Sequence, residues 1–290
     1  MGPVTLGRLI ERFGSARGVV EDSDAGSLDE VRGMTRAMAE KVLRAGRVLD
    51  RAERTADALR RRGVHIVRIT DADYPAALLD LAVPPPLLTL FGEVTSCEPA
   101  VSMVGTTKPS QRGRKIAEEF AARFARAGVT VVSGYAHGID AASHRGAFNA
   151  GGRSILCVPY GIMHFRSRPD FPPLPEIASR GAVVSECPPE REWSAAAAIS
   201  RNRIIAALGK ATFVIEARTR GGTMHTVKAA EQLGRPVFAL KYGRPHDSAR
   251  GNSIIIARGA SEVNTFGEVK KILTSVGRDR GGRGQSDSAG

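Results

Sequence analysis

The stretch that decides the fold is VTVVSGYAHGID, residues 129–140. Its apolar, valine-rich start predicts a buried strand, and the Ala-rich AASHRGAF that follows predicts a helix running to Asn149. Gly134 and Gly138 permit backbone conformations that a Cβ would forbid, and they let a ligand approach closely. Asp140 suits the N-cap of the helix. The junction is therefore predicted to be a tight strand–helix turn with room for an anion against His137.

The same alternation extends over most of the chain. Eight β-rich runs follow one another: HIVRI, LLTLF, AVSMV, VTVVS, SILCV, AVVSE, TFVIE and PVFAL. Helical stretches lie between several of them, such as GRKIAEEFAARFARAG, in which Ile116, Phe120 and Phe124 recur every four residues before Gly128. Strand and helix in alternation predict an α/β domain with a parallel sheet over residues 63–275.

The two ends of the chain have different compositions. Residues 1–62 carry leucines, valines and alanines at helical spacing among many charges, which predicts a small helical domain that stops at Gly63. Residues 276–290 are mostly Gly, Arg and Ser and predict a disordered tail.

Composition limits the function classes. No run approaches the roughly 18–20 apolar residues of a membrane span, and the N-terminus lacks the apolar core of a secretory signal, so a cytoplasmic protein without membrane contact is predicted. Cys97, Cys157 and Cys187 lie far apart, which predicts core thiols and no metal site. Lys and Arg outnumber Asp and Glu by 42 to 30, giving a net charge of +12. Such a balance is expected of a chain that meets polyanions, nucleic acid first among them.

Ligands of open α/β sheets bind beyond the carboxyl ends of the strands, so four loops are the candidates for a site. They are VGTTKPSQRG, SGYAHGID, EARTRGGTMHT and KYGRPHDSARGN. Each combines glycine with hydroxyl or basic residues, so that backbone N–H groups and cations can approach phosphate oxygens.

Several further motifs occur in a fixed order: DADYPAALLDLAVPPPLLTLFGE, SGYAHGIDAASHRGA, GGRSILCVPYGI, ASRGAVVSECPP, RNRIIAAL, EARTRGGTMHTVKAAEQLGRPVFAL and RGNSIIIARGA. Together they resemble the DprA/Smf family of bacterial DNA-processing proteins over about residues 64–262. The resemblance implies an extended Rossmann fold with a mixed, mostly parallel sheet, preceded by a small helical domain. It also implies a protein that binds and protects single-stranded DNA, helps to load RecA recombinase in natural transformation, and commonly forms a homodimer. No catalytic residue, cofactor or metal is expected.

The residues predicted to contact DNA lie in the glycine-rich loops and in the RNR motif. They are Gly105, Thr106, Lys108, Ser133, Gly134, His137, Gly138, Arg201, Asn202, Arg203, Arg220, Gly221, Gly222 and Thr223. Arg201 and Arg203 are expected near a helix N-terminus at a loop mouth, where their replacement would hardly change the stability of the fold.

The sequence departs from the family's pattern at several of these positions. Thr107 stands where an arginine is typical, His137 where Arg or Lys is usual, and Ala198-Ile199 where a Phe-Pro pair is usual. Each change weakens a cation or stacking contact with DNA. The sequence therefore does not determine how tightly the DNA strand binds or where along the loops it lies.

A rival class shares a related core. Nucleoside-monophosphate phosphoribohydrolases of the "lonely guy" type carry a PGGxGTxxE signature with a catalytic glutamate. Here the stretch is RGGTMHTVK, with Lys228 in place of the glutamate, and Glu186 and Glu216 remain as conceivable acids. A nucleotide-binding module of the same superfamily also stays open.

Overall fold

The computed structural model describes residues 3–95 and 99–277. Five helices come first, and the first four pack around a small core of their own that contains Leu9, Leu28 and Val42. The fifth helix buries Leu59 in a separate core cluster with Val64 and Phe91. Ser15, Asp24 and Thr35 cap three of the five helices with side-chain oxygens that accept backbone N–H groups, so each short helix has a defined start. The helices are α1 (Pro3–Phe13), α2 (Ala16–Asp22), α3 (Ala25–Asp29), α4 (Arg36–Leu43) and α5 (Leu49–Arg61).

A single nine-stranded sheet forms the body of the protein. Its strands are β1 (Val64–Arg68), β2 (Leu87–Gly92), β3 (Ala100–Val104), β4 (Thr130–Gly134), β5 (Ser154–Cys157), β6 (Gly181–Ser185), β7 (Ala211–Val214), β8 (Val237–Leu240) and β9 (Ser261–Val263). The spatial order is β1-β2-β6-β5-β4-β3-β7-β8-β9. β1 and β2 pair antiparallel and β2 joins β6 antiparallel, whereas all other pairs are parallel. The sheet is thus mixed and mostly parallel, as the sequence predicts.

Helices cover both faces of the sheet, because the parallel strands are apolar on both sides. The remaining helices are α6 (Gln111–Arg126), α7 (Ile139–Asn149), α8 (Leu174–Ser179), α9 (Ala195–Leu208), α10 (Gly222–Gln232), α11 (Arg250–Ala257) and α12 (Val269–Gly277). One core layer joins α6, α7 and α12 to the sheet through residues such as Phe120, Phe124 and Ile272. The other layer joins α9, α10 and α11 to the opposite face through Ile205, Val227 and Ile255.

The chain reverses its direction of travel across the sheet next to β3. From β3 it proceeds through β4, β5 and β6 to one side, and it then returns to place β7, β8 and β9 on the other. The loops that leave β3 and β7 therefore diverge and open a crevice between them. In open α/β sheets this switch point is where ligands bind.

The structure confirms the eight predicted strands and corrects three local expectations. Gly138, not Asp140, is the N-cap of α7, and Asp140 lies in the first turn of that helix. Arg201, Asn202 and Arg203 lie in the middle of α9 and not at a helix N-terminus.

The third correction concerns the C-terminal boundary. Val276 belongs to α12 and is buried, so the helix extends to Gly277 and past the predicted start of the tail at 276. The rest of the predicted tail, residues 278–290, lies outside the described residues, as does Cys97. No helix among the described residues is long and apolar enough to span a membrane.

Candidate nucleic-acid interface

A cavity of about 470 Å³ opens at the carboxyl ends of β3, β4, β5 and β7, where the switch point lies. Its walls are formed by the loops after β3, β4, β5 and β7, by the segment before α9, by α9 itself, and by the first turns of α7 and α10. The predicted loop after β8, KYGRPHDSARGN, is not in the lining. The residues that line it are Val104, Gly105, Thr106, Thr107, Tyr135, Ala136, Asp140, Pro159, Tyr160, Trp193, Ala195, Ala198, Ile199, Arg201, Asn202, Ile205, Arg218, Arg220, Gly221, Gly222, Thr223 and Thr226. The volume suits a ligand of nucleotide size.

Two glycines allow the loops after β3 and β4 to touch. Gly138 has a φ of +84°, and a Cβ there would lie 2.4 Å from the carbonyl oxygen of Thr106. That carbonyl accepts a hydrogen bond from the backbone N–H of Ile139 at 3.2 Å. A Cβ at Gly105 would in turn lie 2.5 Å from Cγ1 of Ile139. Side chains at either glycine would separate the two loops and deform this wall of the cavity.

Glu216, which follows β7, fixes the loops on the other side. Its carboxylate is fully buried and accepts hydrogen bonds from the Ser110 backbone N–H and from the Ser248 hydroxyl, both at 2.9 Å. Its carbonyl oxygen accepts the N–H of Thr106 at 2.7 Å. One residue thus connects the loops that follow β3, β7 and β8.

The inner wall carries two buried charged groups, Asp140 and Arg201. Burial raises the pKa of the Asp140 carboxyl to about 6, and the positive charge of Arg201 opposes that rise. An Nη1 donor of Arg201 bonds the carbonyl oxygen of Cys157, while its buried Nε has no hydrogen-bond partner. Arg201 is therefore part of the wall with one donor left unused.

His144 supports the same wall from behind. One ring nitrogen lies 2.6 Å from the carbonyl oxygen of Gly134, and the other lies 2.7 Å from the Ser154 hydroxyl. Burial lowers the pKa of His144 to about 3, so the ring is neutral at physiological pH.

The N-terminus of α10 provides the anion-binding part of the cavity. Its N-cap, Gly221, has a φ of +139° and no side-chain cap, which leaves the first N–H groups of the helix open to a ligand. Asn202 holds this turn because its Nδ2 donates to the carbonyl oxygen of Gly222 at 3.1 Å. The exposed side chains of Arg218 and Arg220 lie in the loop that enters the helix. Helix dipole and guanidinium groups together favour a phosphate at this position.

The cavity brings together eight of the fourteen residues predicted from the sequence. They are Gly105, Thr106, Arg201, Asn202, Arg220, Gly221, Gly222 and Thr223. The other six are not in its lining: Lys108, Ser133, Gly134, His137, Gly138 and Arg203.

The four of these residues that carry side chains have two kinds of position. Lys108 and His137 are exposed outside the lining. Ser133 is fully buried, and its hydroxyl donates to the carbonyl oxygen of Met103 at 2.6 Å. Arg203 pairs with Glu186 at a half-buried site. Ser133 and Arg203 therefore support the fold around the cavity.

The sequence did not single out several residues of the lining, notably Asp140 as a wall residue, Arg218 and Trp193. Arg218 lies two positions before Arg220 in the same post-strand loop, so its charge and place could have identified it. Trp193 follows no strand directly and stands just before α9, where no loop rule points to it.

Comparison with known proteins agrees with this architecture. The family described as DNA recombination-mediator protein A matches residues 65–275. Protein Smf of Synechocystis is 29% identical over 282 residues, which cover 96% of this chain and 70% of the relative. DNA processing protein DprA of Bacillus subtilis is 30% identical over 213 residues, which cover 72% of this chain and 71% of the relative.

Two solved structures share the fold. The X-ray structure of DprA from Streptococcus pneumoniae superposes with a TM-score of 0.76 at 25% identity and covers 92% of both chains. A DNA processing protein A from Helicobacter pylori, described for its single-stranded DNA binding mode, superposes with a TM-score of 0.64 at 23% identity. That match covers 73% of this chain and 96% of the Helicobacter protein.

Proposed function

Because this chain belongs to the DNA recombination-mediator protein A family, the DprA/Smf family of DNA-processing proteins, we propose that it binds single-stranded DNA at the switch-point cavity. The observation that carries the proposal is the uncapped N-terminus of α10 beside Arg218 and Arg220. Phosphate contacts of this kind supply affinity without reading sequence.

The form of the cavity supports a single strand over a duplex. A concave site of about 470 Å³ can receive one phosphate together with one unpaired nucleotide. The bases of a duplex are stacked and paired, so they cannot enter such a site without the cost of unpairing. The net charge of +12 adds attraction for any polyanion. The preference for a single strand over a duplex is attributed to the shape of the cavity.

The family's description as a recombination mediator supports a proposal for the purpose of the binding. We propose that the protein protects single-stranded DNA and helps to load RecA recombinase onto it, as in natural transformation, and that it acts as a homodimer. RecA loading is measured as the rate of RecA ATP hydrolysis on single-stranded DNA coated beforehand with a single-strand-binding protein. An accelerated rate is expected, and an unchanged rate would remove the mediator part of the proposal.

The carboxylates support binding over hydrolysis. Glu216 is occupied by Ser110 and Ser248, and Glu186 is occupied by Arg203, so neither is placed to act on a substrate. Lys228 is exposed on α10 at the position of the hydrolase glutamate. We therefore expect no release of free base from nucleoside monophosphates. Turnover that Glu216→Gln abolishes would favour the phosphoribohydrolase.

The proposal is tested by a titration with fluorescently labelled oligomers of equal length. Single-stranded DNA is expected to bind more tightly than duplex DNA, with an affinity that falls steeply with salt. Equal affinity for the duplex, or an affinity independent of salt, contradicts the proposal. A single-stranded RNA of the same sequence is the third arm, and tighter binding to RNA would assign the site to RNA instead.

A further inference from the structure

The rim of the cavity exposes apolar surface. Trp193, the single tryptophan of the chain, is 63% exposed, and Ile199 is 48% exposed. Both residues line the cavity, and Ala195 and Ala198 lie between them in the sequence and in the lining. Tryptophan is highly buried on average, so an indole exposed at the mouth of a binding cavity suggests a ligand.

The backbone that carries Trp193 is held in place. Pro189 and Arg191, just before it, accept backbone hydrogen bonds from Met163 at 3.1 Å and from Gly161 at 2.7 Å. Ser194, just after it, is the N-cap of α9 and accepts the N–H of Ala197 at 3.2 Å. Hydrogen-bonded backbone on both sides of Trp193 therefore fixes the position from which the indole projects.

The other aromatic residues of the lining are less available. Tyr135 is buried, its ring is covered by the guanidinium of Arg168 at 4.3 Å, and it packs against Phe165 and Phe171. Tyr160 is half-buried. Among the aromatic side chains that line the cavity, Trp193 is the exposed one.

We propose that Trp193, flanked by Ile199, is a stacking platform for one unpaired base of the bound DNA strand. The inference rests on the proposed function. The indole shares the cavity with Arg218, Arg220 and the N-terminus of α10, so one nucleotide can place its phosphate on the cations and its base on the apolar rim. Aromatic side chains stack on bases of any identity because every base has a π-face. The neighbouring arginines favour this polyanionic ligand over an apolar peptide.

The first test uses the wild-type protein alone. Because the chain has one tryptophan, its fluorescence reports on Trp193 when it is excited where tyrosine does not absorb. Single-stranded oligothymidylate is expected to quench this emission in step with binding measured by anisotropy. An oligomer of the same length built of abasic sites, which keeps the phosphates and lacks the bases, should bind without this quenching.

Variants separate stacking from phosphate binding. Trp193→Ala is expected to weaken binding of the oligothymidylate by about 5-fold to 150-fold, whereas Trp193→Phe keeps most of the affinity. Neither variant should bind the abasic oligomer differently from wild type, because the phosphate contacts are untouched. Leu79→Ala is the matched control, since Leu79 is 53% exposed in the short 3₁₀ helix Ala76–Asp80 and does not line the cavity.

The outcomes distinguish this inference from the function on which it rests. A wild-type protein that binds the oligomer without quenching, together with a Trp193→Ala variant of unchanged affinity, overturns the platform and leaves the DNA-binding function intact. An equal loss on the oligothymidylate and on the abasic oligomer also overturns it, because Trp193 then acts through the phosphates or the fold. A wild-type protein with no affinity for single-stranded DNA overturns both.

Discussion

Asp140 and Arg201 converge on the backbone of Gly134. A Cβ at Gly134 would lie 2.4 Å from Oδ2 of Asp140 and 2.7 Å from both Nη atoms of Arg201. The absence of a side chain at the end of β4 therefore lets a carboxylate and a guanidinium occupy the same buried wall. The positive charge of Arg201 offsets part of the cost of burying the Asp140 carboxylate, and burial still raises the pKa of that carboxyl.

Removing the positive member of this wall should destabilise the fold. Arg201→Ala removes the hydrogen bond to the Cys157 carbonyl and the positive charge that offsets the burial of the Asp140 carboxylate. A loss of about 3–5 kcal/mol in the free energy of unfolding is therefore expected. Urea denaturation at neutral pH measures it. Arg126→Ala, at an exposed position in the last turn of α6, is the control and should change stability by less than about 0.5 kcal/mol. A similarly small change for Arg201→Ala would restore the expectation from the sequence that Arg201 is a loop-mouth cation.

Asp140 should give the stability of the protein a characteristic pH dependence. Its pKa is raised from 3.8 to about 6 in the folded state, so the folded protein binds this proton more tightly than the unfolded chain. The stabilisation from this group is complete below about pH 4 and is lost as the pH rises through about 6. A shift of about two pKa units corresponds to about 3 kcal/mol, since one unit is worth about 1.4 kcal/mol.

The measurement compares Asp140→Asn with wild type by urea denaturation from pH 4 to 7. Asn does not titrate, so the stability of the variant relative to wild type should rise by about 2–3 kcal/mol over that range, most of the full effect. His144 acts with the opposite sign, because its pKa is lowered to about 3 and its contribution is lost as the pH falls. In wild type the pH dependences that Asp140 and His144 give to the stability partly cancel. In Asp140→Asn only that of His144 remains, so the stability of the variant should rise with pH. A difference between variant and wild type that is independent of pH would contradict the raised pKa of Asp140.

Gly138 should be intolerant of any side chain. Gly138→Ala combines a φ of +84° with a contact at 2.4 Å to the Thr106 carbonyl oxygen. Gly151→Ala is the matched control, since Gly151 has a φ of +75° and nothing within 4 Å of an added Cβ. Both variants should lose about 1–2 kcal/mol to backbone strain, and Gly138→Ala should lose clearly more. Equal thermal stabilities of the two variants would show that the loops after β3 and β4 can separate without cost.

Much of the fold could be predicted because the parallel strands are buried on both faces and appear as short apolar runs. β9 is not predicted by the sequence, because Ser261–Val263 is three residues long and its first residue is exposed. The sequence predicts the wrong position for Asp140, because a carboxylate at a strand–helix junction is typical of an N-cap. Here Gly138 is the N-cap. Asp140 lies in the first turn of α7, where its carboxylate and the guanidinium of Arg201 both approach the backbone of Gly134.

The candidate site was predictable where it depends on loops that follow strands. Gly105, Arg220 and Gly221 line the cavity because the carboxyl ends of parallel strands meet at one edge of the sheet. Arg201 and Arg203 could not be separated by sequence, since both are arginines in one helix. Only the packing of α9 shows that Arg201 faces the cavity and Arg203 faces Glu186.

The central claim, that the phosphates of a single strand are held by the loop before α10, has a direct test in the salt dependence of binding. The double variant Arg218→Ala/Arg220→Ala removes two exposed charges from the cavity. The control pair, Arg126→Ala/Arg258→Ala, removes two exposed charges at the C-terminal ends of α6 and α11, just before β4 and β9 begin and outside the cavity lining. The log–log slope of affinity against salt should become shallower by about 1.4 for the cavity variant, since each phosphate contact of a single strand contributes about 0.7. The control pair should keep the wild-type slope, and both variants should keep wild-type stability. Equal slopes for the two double variants would show that the cations of the cavity do not hold the phosphates and would contradict the account.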